Sequence, residues 1–238
     1  MTLPLLLLTR PRAQSERFVI LCRPECPPHR VLIAPLSEIV PVTHEPNALL
    51  RAEALIFTSP NAVAAVRATV TGLPAWCVGP GTAAAAREAG FRVRESGGDA
   101  GHLLTDLRRA GPGERLVHAH GRHLARDLVS ALAPEGFDIT GVMVYEAQPV
   151  PWAGEVLPAL KSADRAVVPL FSPRAADAFA ARMGGNVTSG LRIVAISANC
   201  AARLPPDLRA RCMIAQTPDA AAMCRAVAEG LSHNDPEP

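Results

Sequence analysis

The chain reads Leu55-Ile-Phe-Thr-Ser-Pro-Asn-Ala-Val63 in its first half and Val168-Pro-Leu-Phe-Ser-Pro-Arg-Ala-Ala176 in its second. Both stretches consist of an apolar run, a Ser-Pro pair and the start of an Ala-rich segment, which is the pattern of a strand, a turn and a helix. A second matching pair follows downstream, Ala75-Trp-Cys-Val-Gly-Pro-Gly-Thr-Ala83 and Ile193-Val-Ala-Ile-Ser-Ala-Asn-Cys-Ala201. A duplicated unit of this length predicts two similar lobes with a cleft between them.

Short apolar runs alternate with Ala-rich amphipathic stretches along the chain. This period predicts α/β lobes of the doubly wound, flavodoxin-like class, in which helices cover both faces of a parallel sheet. The expected strand order is 32, 6, 168, 194 and 213 in one lobe and 140, 116, 55, 76 and 92 in the other, each number marking a residue near the strand. The predicted strands are 5–9, 31–35, 54–58, 75–79, 91–94, 115–119, 139–145, 166–171, 193–197 and 212–216.

The two copies are related by a circular permutation. The strand, helix and strand over 116–146 match those at the amino terminus over 6–38, so the first strands of the chain complete the second copy. The predicted domains are therefore a discontinuous lobe, 1–35 plus 149–238, and a continuous lobe, 42–142. The crossing segments 36–41 and 143–148 carry β-favouring residues and are expected to pair as an antiparallel ladder.

Composition and charge restrict the class of protein. The 238 residues are 49% hydrophobic and carry a formal net charge of +2, with arginines interleaved among acidic residues, which argues against nucleic-acid binding. The apolar run at 5–8 is far shorter than the ~20 residues of a membrane helix, and it lacks the flanks of a signal peptide. A cytoplasmic protein with no membrane association is therefore predicted.

The six cysteines form no CxxC pair and lie mostly in apolar strands or helices. Reduced structural thiols are therefore favoured over disulfides or a zinc site. The sequence indicates no metal and no cofactor, because Gly79-Pro-Gly-Thr82 has neither the lysine of a phosphate-binding loop nor the glycine spacing of a dinucleotide fingerprint.

Small and hydroxyl residues occupy five strand-to-helix junctions. Ser or Thr before Pro at a helix start caps the helix and leaves backbone N–H groups that favour anions, although plain capping also explains each single junction. All five follow the carboxyl ends of predicted parallel strands, where ligands bind in open α/β sheets. Together they predict a cleft lined with donors for several anionic groups, with these candidate residues: Thr9, Arg10, Ser59, Asn61, Gly79, Thr82, Ser172, Arg174, Ser197 and Asn199.

Imidazole and phenol groups provide the remaining candidates. His118, His120 and His123 form a cluster in which metal ligation is conceivable, but no carboxylate or cysteine stands at ligand spacing, and solvent-facing or substrate-facing histidines are favoured. His120 directly precedes Gly121 at a strand end and is the one expected to face the cleft. Tyr145, the only tyrosine, lies where a strand becomes a crossing segment, either facing the cleft or packing against the hinge.

The order of several short motifs resembles the uroporphyrinogen-III synthase family over essentially the whole chain. Each motif alone has little specificity, but their order and spacing together are specific. The motifs are Thr9-Arg-Pro11, Pro35-Leu-Ser-Glu-Ile39, Ile56-Phe-Thr-Ser-Pro-Asn-Ala62, Val78-Gly-x-x-Thr-Ala83, Gly121, Val144-Tyr-Glu146 and Phe171-Ser-Pro173.

The resemblance implies two α/β lobes joined by a β-ladder and a cofactor-free reaction. Hydroxymethylbilane, a linear tetrapyrrole with many carboxylates, would be cyclised to uroporphyrinogen III with loss of water and inversion of ring D through a spiro intermediate. The resemblance also implies that Tyr145 assists departure of the hydroxyl. It further implies that six cleft positions bind the substrate, namely Ser59, Asn61, Gly79, Thr82, Gly121 and Ser172.

One junction departs from the family pattern. Ser197-Ala-Asn-Cys200 stands where relatives commonly have Gly-x-x-Thr, so Ser197 and Asn199 are the donors expected in its place. This departure favours an alternative of a different class, a degenerate two-lobed sensor that binds a tetrapyrrole or another acid without turnover. Tyr145 and the complete first-copy loops favour the enzyme. A monomer is expected.

Overall fold

The computed structural model describes residues 2–97, 99–124 and 126–232. Contacts divide the chain into two compact units, one formed by Met1–Glu38 with Pro149–Pro238 and the other by Ile39–Gln148. Each unit contains one sheet. No described helix is long and apolar enough to cross a membrane.

Strands and helices alternate along the described residues. The strands are β1 (Leu5–Leu8), β2 (Arg30–Ile33), β3 (Ser37–Pro41), β4 (Ala54–Phe57), β5 (Pro74–Val78), β6 (Arg92–Ser96), β7 (Leu116–Gly121), β8 (Ile139–Pro149), β9 (Ala166–Leu170), β10 (Leu191–Ala195) and β11 (Cys212–Ile214). The α-helices are α1 (Arg12–Cys22), α2 (Pro46–Leu50), α3 (Pro60–Val66), α4 (Gly79–Glu88), α5 (Ala100–Ala110), α6 (Leu128–Leu132), α7 (Val156–Ser162), α8 (Pro173–Met183), α9 (Ala198–Ala201), α10 (Pro206–Arg209) and α11 (Ala220–Ser232).

The sheet of the discontinuous unit has the order β11-β10-β9-β1-β2, and its strand pairs are parallel. All four leucines of β1 are buried because helices cover both faces of this sheet. Helices α7 to α10 pack on one face, and α1 and α11 pack on the other. The predicted fold class and strand order are confirmed for this unit.

The second sheet has the order β3-β8-β7-β4-β5-β6, and the five strands from β8 to β6 pair in parallel. Helices α2, α3 and α4 contribute to the core on one face, and α5 and α6 contribute to the core on the other. The predicted order of these five strands is confirmed. The sixth strand, β3, belongs to the segment that the sequence assigned to a crossing.

Strand β3 lies next to β8, and two hydrogen bonds define the sense of their pairing. Val42 N donates to Val144 O over 3.0 Å, and Val150 N donates to Leu36 O over 3.1 Å. One residue number rises as its partner's falls, so the segments run antiparallel. The role of these segments as a hinge stays a prediction.

A disulfide joins Cys22 at the end of α1 to Cys224 in α11, which corrects the expectation that all the thiols are reduced. The two cysteines are 202 positions apart, so no local spacing could indicate the pair. They meet because the chain places its first and last helices on the same face of one sheet, within one apolar cluster. The bond therefore ties together the two distant segments that build this face. Cys26, Cys77, Cys200 and Cys212 are free thiols.

Cutting this disulfide should destabilise the discontinuous unit. Cys22→Ala is expected to lower the free energy of unfolding by about 2–4 kcal/mol, because the crosslink restricts the unfolded chain. Urea unfolding, with and without reductant, measures the effect. Cys26→Ala, which removes a free thiol one helical turn away, should behave as the wild type. If the unfolded, unreduced chain titrates with six reactive thiols instead of four, the bond is absent.

Candidate active site

Six candidate residues of the discontinuous unit follow three neighbouring strands. Because β10, β9 and β1 are adjacent and parallel, their carboxyl ends lie at one edge of the sheet. Strand connections leave in opposite directions from β1 and β9, so this edge includes the topological switch point where α/β sheets bind ligands. The residues gathered here are Thr9, Arg10, Ser172, Arg174, Ser197 and Asn199.

The two serines at this edge cap helices. Ser172 Oγ accepts a hydrogen bond from Ala175 N at 3.1 Å, and Ser197 Oγ accepts one from Cys200 N at 3.3 Å. A hydroxyl that accepts in this way still has its own proton to donate. The capping interpretation is therefore correct for both serines, and it leaves them able to bind an acceptor on a ligand.

Cys200 connects these two junctions. Its Sγ lies 3.3 Å from Ser172 O, within reach of a weak S–H hydrogen bond. Burial raises the pKa of the Cys200 thiol, so this side chain stays protonated and acts as a donor rather than as a nucleophile.

Arg10 is the partly buried cation of this edge. Its guanidinium carbon lies 4.2 Å from the centre of the Phe171 ring, and its Nε donates to Gln14 Oε1 at 3.1 Å. Burial lowers the pKa of Arg10, because desolvation disfavours the charged form. Thr9, by contrast, is only 4% exposed, so its side chain belongs to the core.

The second unit repeats this arrangement. Strands β8, β7, β4 and β5 are neighbours, and the candidates lie at or beyond their carboxyl ends. Ser59 caps α3 by accepting from Asn61 N at 3.2 Å. Gly79 opens α4 with a φ of +74°, a value that favours glycine, whereas Thr82 in the first turn is only 5% exposed.

His118 is buried, which corrects the expectation that it faces solvent or substrate. It is 1% exposed, and its Nε2 lies 3.3 Å from Thr58 Oγ1. Burial, with a smaller contribution from the nearby His120, lowers the pKa of His118 to about 4. The imidazole is therefore neutral at pH 7. The alternation of side chains along β7 could have predicted this burial, because His118 points to the same face as the buried Leu116 and Ile139.

His120 is half-buried and lies beside the backbone of two glycines. Its Nδ1 is 2.8 Å from Gly121 O, and a Cβ placed on Gly141 would come within 3.1 Å of its Nε2. The rings of His118 and His120 are 5.1 Å apart. His123 is exposed. Among the described residues, no group of three or more His, Cys, Asp or Glu side chains could hold a metal ion.

Tyr145 packs directly on Gly121. A Cβ built on Gly121 would lie 2.5 Å from Tyr145 Cζ and 2.9 Å from its hydroxyl oxygen, so only glycine allows this contact. A register irregularity between His120 and Gly121 pairs Gly121 with Tyr145 and aims the ring at the end of β7. The ring is half-buried, and its hydroxyl makes no hydrogen bond to any described residue.

Glu146 and Arg122 hold the backbone on either side of this contact. Arg122 Nε forms an ion pair with Glu146 Oε1, and Arg122 N donates to Tyr145 O at 3.1 Å. These links attach the loop after β7 to β8. The phenol is thus supported by neighbouring backbone and by an ion pair, which restricts the positions that the ring can adopt.

Each unit therefore brings its predicted residues to one sheet edge, with differences in exposure. Thr9 and Thr82 are buried, Arg174 and Asn199 are exposed, and the remaining candidates are intermediate or are backbone positions. The sequence did not predict the contact of Thr58 with His118 or the position of Phe171 under Arg10. Both contacts join separate strands, so only the sheet order creates them.

Comparison with known proteins identifies the family. The model of the family described as Uroporphyrinogen-III synthase HemD matches residues 28–225, which is most of the chain. The chain belongs to the uroporphyrinogen-III synthase family. No curated protein matches the sequence.

Solved structures share the fold of this family. The uroporphyrinogen-III synthetase of Helicobacter pylori superposes with a TM-score of 0.65 at 20% identity, and the match covers 97% of this chain and 100% of that one. A mutant uroporphyrinogen III synthase from Thermus thermophilus gives a TM-score of 0.53 at 14% identity, over 96% of this chain and 98% of that one. The family match and the shared fold support uroporphyrinogen-III synthase activity over the sensor alternative.

The buried His118 should make stability depend on pH. Its pKa is about 4 in the fold and about 6.5 when unfolded, so the unfolded chain binds the extra proton first as pH falls through this window. The free energy of unfolding should fall by about 2 kcal/mol between pH 7 and pH 5. Urea unfolding at both pH values measures this change.

Two variants separate His118 from other groups. His118→Leu should remove most of the loss between pH 7 and pH 5, whereas His29→Gln in the other unit should keep it. Carboxyl groups with lowered pKa values, such as Asp127, titrate below this window. An equal loss in wild type and His118→Leu would contradict a proton-binding role for this imidazole in unfolding.

A methyl group at Gly121 should displace the phenol. Gly121→Ala is expected to lower the free energy of unfolding by about 1–3 kcal/mol, because the new Cβ overlaps the Tyr145 ring. Gly81→Ala is the matched control, since a Cβ there meets nothing within 4 Å and the residue lies in α4. That variant should be neutral or stabilising by about 0.5–1 kcal/mol. Equal stability of the two variants would show that the ring moves without cost.

Proposed function

We propose that this chain is a cyclising hydro-lyase that converts hydroxymethylbilane to uroporphyrinogen III. The observation that carries the proposal is the Tyr145 phenol packed on Gly121 at the carboxyl end of β7, with a hydroxyl that no described residue engages. A phenol in this position is available to a ligand. The family match supports this reaction.

The reaction begins with loss of the hydroxyl on ring A. The C–O bond breaks, and the hydroxyl leaves as water together with the proton of the ring A pyrrole nitrogen, which leaves a neutral azafulvene. The substituted carbon of ring D attacks this electrophile and forms a spiro intermediate. Fragmentation and reclosure then give the macrocycle with ring D inverted, and the overall change is the loss of one water.

Tyr145 acts on the first of these steps in our proposal. Its phenol donates a hydrogen bond to the departing oxygen and keeps its own proton, because the pyrrole nitrogen supplies the second proton of the water. Hydrogen-bond donation to developing negative charge lowers the barrier without a change in the net charge of the enzyme. His118 is neutral and buried, so it supplies no proton to this step.

The groups that we propose for carboxylate binding lie at the carboxyl edge of the sheet in each unit. Arg10 and Arg174 supply cations, and Ser172 and Ser197 supply hydroxyl protons in the discontinuous unit. In the continuous unit, Ser59 supplies a hydroxyl proton, and Asn61 and the backbone around Gly79 and Gly121 supply N–H donors. Asn199 is a further donor in the discontinuous unit. Helix starts favour anions through their unpaired N–H groups and the helix dipole.

Enforced geometry accounts for most of the proposed catalysis. Hydroxymethylbilane closes unaided to the isomer in which ring D is not inverted, so the enzyme has to select which carbon attacks. Fixing the carboxylates at many points restricts the substrate to the conformation in which the substituted carbon reaches the azafulvene. Thr9 and Thr82 are buried, and we assign each of them to the support of the edge of its own sheet. No resident cofactor, nucleic acid or membrane enters this proposal, and the monomeric state and cytoplasmic location stay predictions.

Removal of the phenol hydroxyl should slow formation of the inverted isomer. Tyr145→Phe keeps the ring on Gly121 and removes only the donor, so packing is nearly unchanged. We expect the rate to fall by about 10- to 100-fold, at or below the low end of the roughly 100- to 10,000-fold range that general-acid help usually provides, because this leaving group departs readily from an electron-rich pyrrole. A coupled assay that separates the two uroporphyrinogen isomers by chromatography measures the rate.

Thermal unfolding of Tyr145→Phe provides the control, and its midpoint should match that of the wild type. Product affinity should also be unchanged, because the carboxylates bind elsewhere. Full activity of the variant would make the phenol structural. A wild-type protein that binds the product but never forms the inverted isomer would instead support the sensor alternative.

A further inference from the structure

Arg10 occupies a special position in the discontinuous unit. It lies just beyond Thr9 at the carboxyl end of β1, whose neighbours are β9 and β2, and the strand order reverses between β1 and β9. Phe171 directly follows β9. The two residues therefore flank the switch point on its two sides, and their side chains are in contact at 4.2 Å.

Three contacts hold Arg10. Ser15 Oγ, on α1, donates to the backbone carbonyl of Arg10 at 2.9 Å and so fixes the main chain. Gln14 Oε1 accepts from Arg10 Nε at 3.1 Å and so fixes one edge of the guanidinium. The ring of Phe171 covers one face of the guanidinium. The group is thereby restrained in position and in rotation.

Phe171 is restrained in turn by the core. Phe18 of α1 meets it edge to face, with 4.9 Å between the ring centres and an angle of 84° between the planes. Phe18 is 3% exposed and belongs to the apolar cluster under α1 and α11. The orientation of Arg10 is thus linked through Phe171 to a rigid part of the sheet face.

The charge of Arg10 has no counter-ion in the described part of the chain. Neither an ion pair nor an electrostatic interaction with an acidic residue of ranges 2–97, 99–124 and 126–232 involves this side chain. Burial lowers the pKa of Arg10, so a partly desolvated cation stands at the ligand-binding edge. Such a charge is costly unless an anion accompanies it.

The contact with Gln14 determines which donors remain for that anion. A guanidinium offers five N–H groups, and one of them, on Nε, is directed at Gln14. The two terminal nitrogens form the remaining fork, whose spacing matches the two oxygens of a carboxylate. The geometry therefore suits an end-on, bidentate contact through Nη1 and Nη2.

We propose that Phe171 is a positioning residue, which holds the Arg10 guanidinium over its ring so that both terminal nitrogens bind one carboxylate of the substrate. This inference rests on the proposed function for the identity of the polycarboxylate, and it adds a residue that makes no polar contact itself. The stacked face of the guanidinium is covered by the ring, whereas its in-plane N–H groups stay available for the carboxylate.

A double-mutant cycle tests the link between the two residues. Phe171→Leu removes the ring and keeps an apolar side chain, and Arg10→Lys keeps the charge and removes the fork. We expect Phe171→Leu to raise both KM and the dissociation constant of uroporphyrinogen III, measured anaerobically by calorimetry, by about 3- to 10-fold, in line with a cation–π contact. The kcat should stay within about twofold of wild type, because a contact present in both substrate and transition state changes KM alone.

Further variants distinguish positioning from general destabilisation. Phe171→Tyr keeps an aromatic face and should restore near-native KM. Phe91→Leu is the matched control, because it removes one ring of the edge-to-face pair with Phe57 in the other unit, and no described arginine is stacked on that pair. It should leave KM unchanged. Circular dichroism confirms that each variant is folded at the temperature of the assay.

The cycle has distinct outcomes for the inference and for the proposed function. In the Arg10→Lys background, Phe171→Leu should have little further effect, because the orientation of the fork no longer matters. Additive effects, or a KM for Phe171→Tyr as high as that for Phe171→Leu, would overturn the positioning role. If the two substitutions have coupled effects on uroporphyrinogen III binding but the wild-type protein shows no turnover, the inference is supported and the proposed enzyme activity is overturned.

Discussion

Parallel strand pairing is the constraint on which the rest of this structure depends. It requires a crossover between successive strands, so each sheet is buried under helices on both faces, and it brings every strand's carboxyl end to one edge. The four consecutive leucines of β1 and the continuous apolar run of β9 follow from that double burial. The same constraint collects residues that are far apart in the chain, such as Arg10 and Phe171, at a single edge.

Each edge combines backbone donors with very few ionised side chains. Ser59, Ser172 and Ser197 cap helices through their oxygens and keep their own protons for a ligand. The buried His118 is held neutral, and the thiol of Cys200 is held protonated. This chemistry suits a reaction in which an electron-rich substrate supplies both nucleophile and leaving group, and the protein supplies position and hydrogen bonds.

Two side chains depart from ordinary packing rules, and both do so at these edges. The Tyr145 ring needs a glycine beneath it, and the Arg10 cation is partly desolvated without an acidic partner in the described residues. Local departures of this kind cost stability and are expected at functional sites. In the roles that we propose for them, the phenol donates to a departing oxygen, whereas the guanidinium binds a carboxylate that stays in place.

The sequence alone determined the secondary structure and the strand order. The period of the apolar runs predicts the strands and helices, and the duplication predicts the order of the strands in each sheet. The junction serines and the neighbourhood of Tyr145 were likewise visible in local motifs. Only the tertiary structure decided which side chains meet. Cys22 and Cys224 are brought together by the packing of α1 and α11 on one sheet face, Thr58 and His118 by strand order, and Gly121 and Tyr145 by a register irregularity. Such contacts depend on three-dimensional placement, and a local pattern contains no record of it.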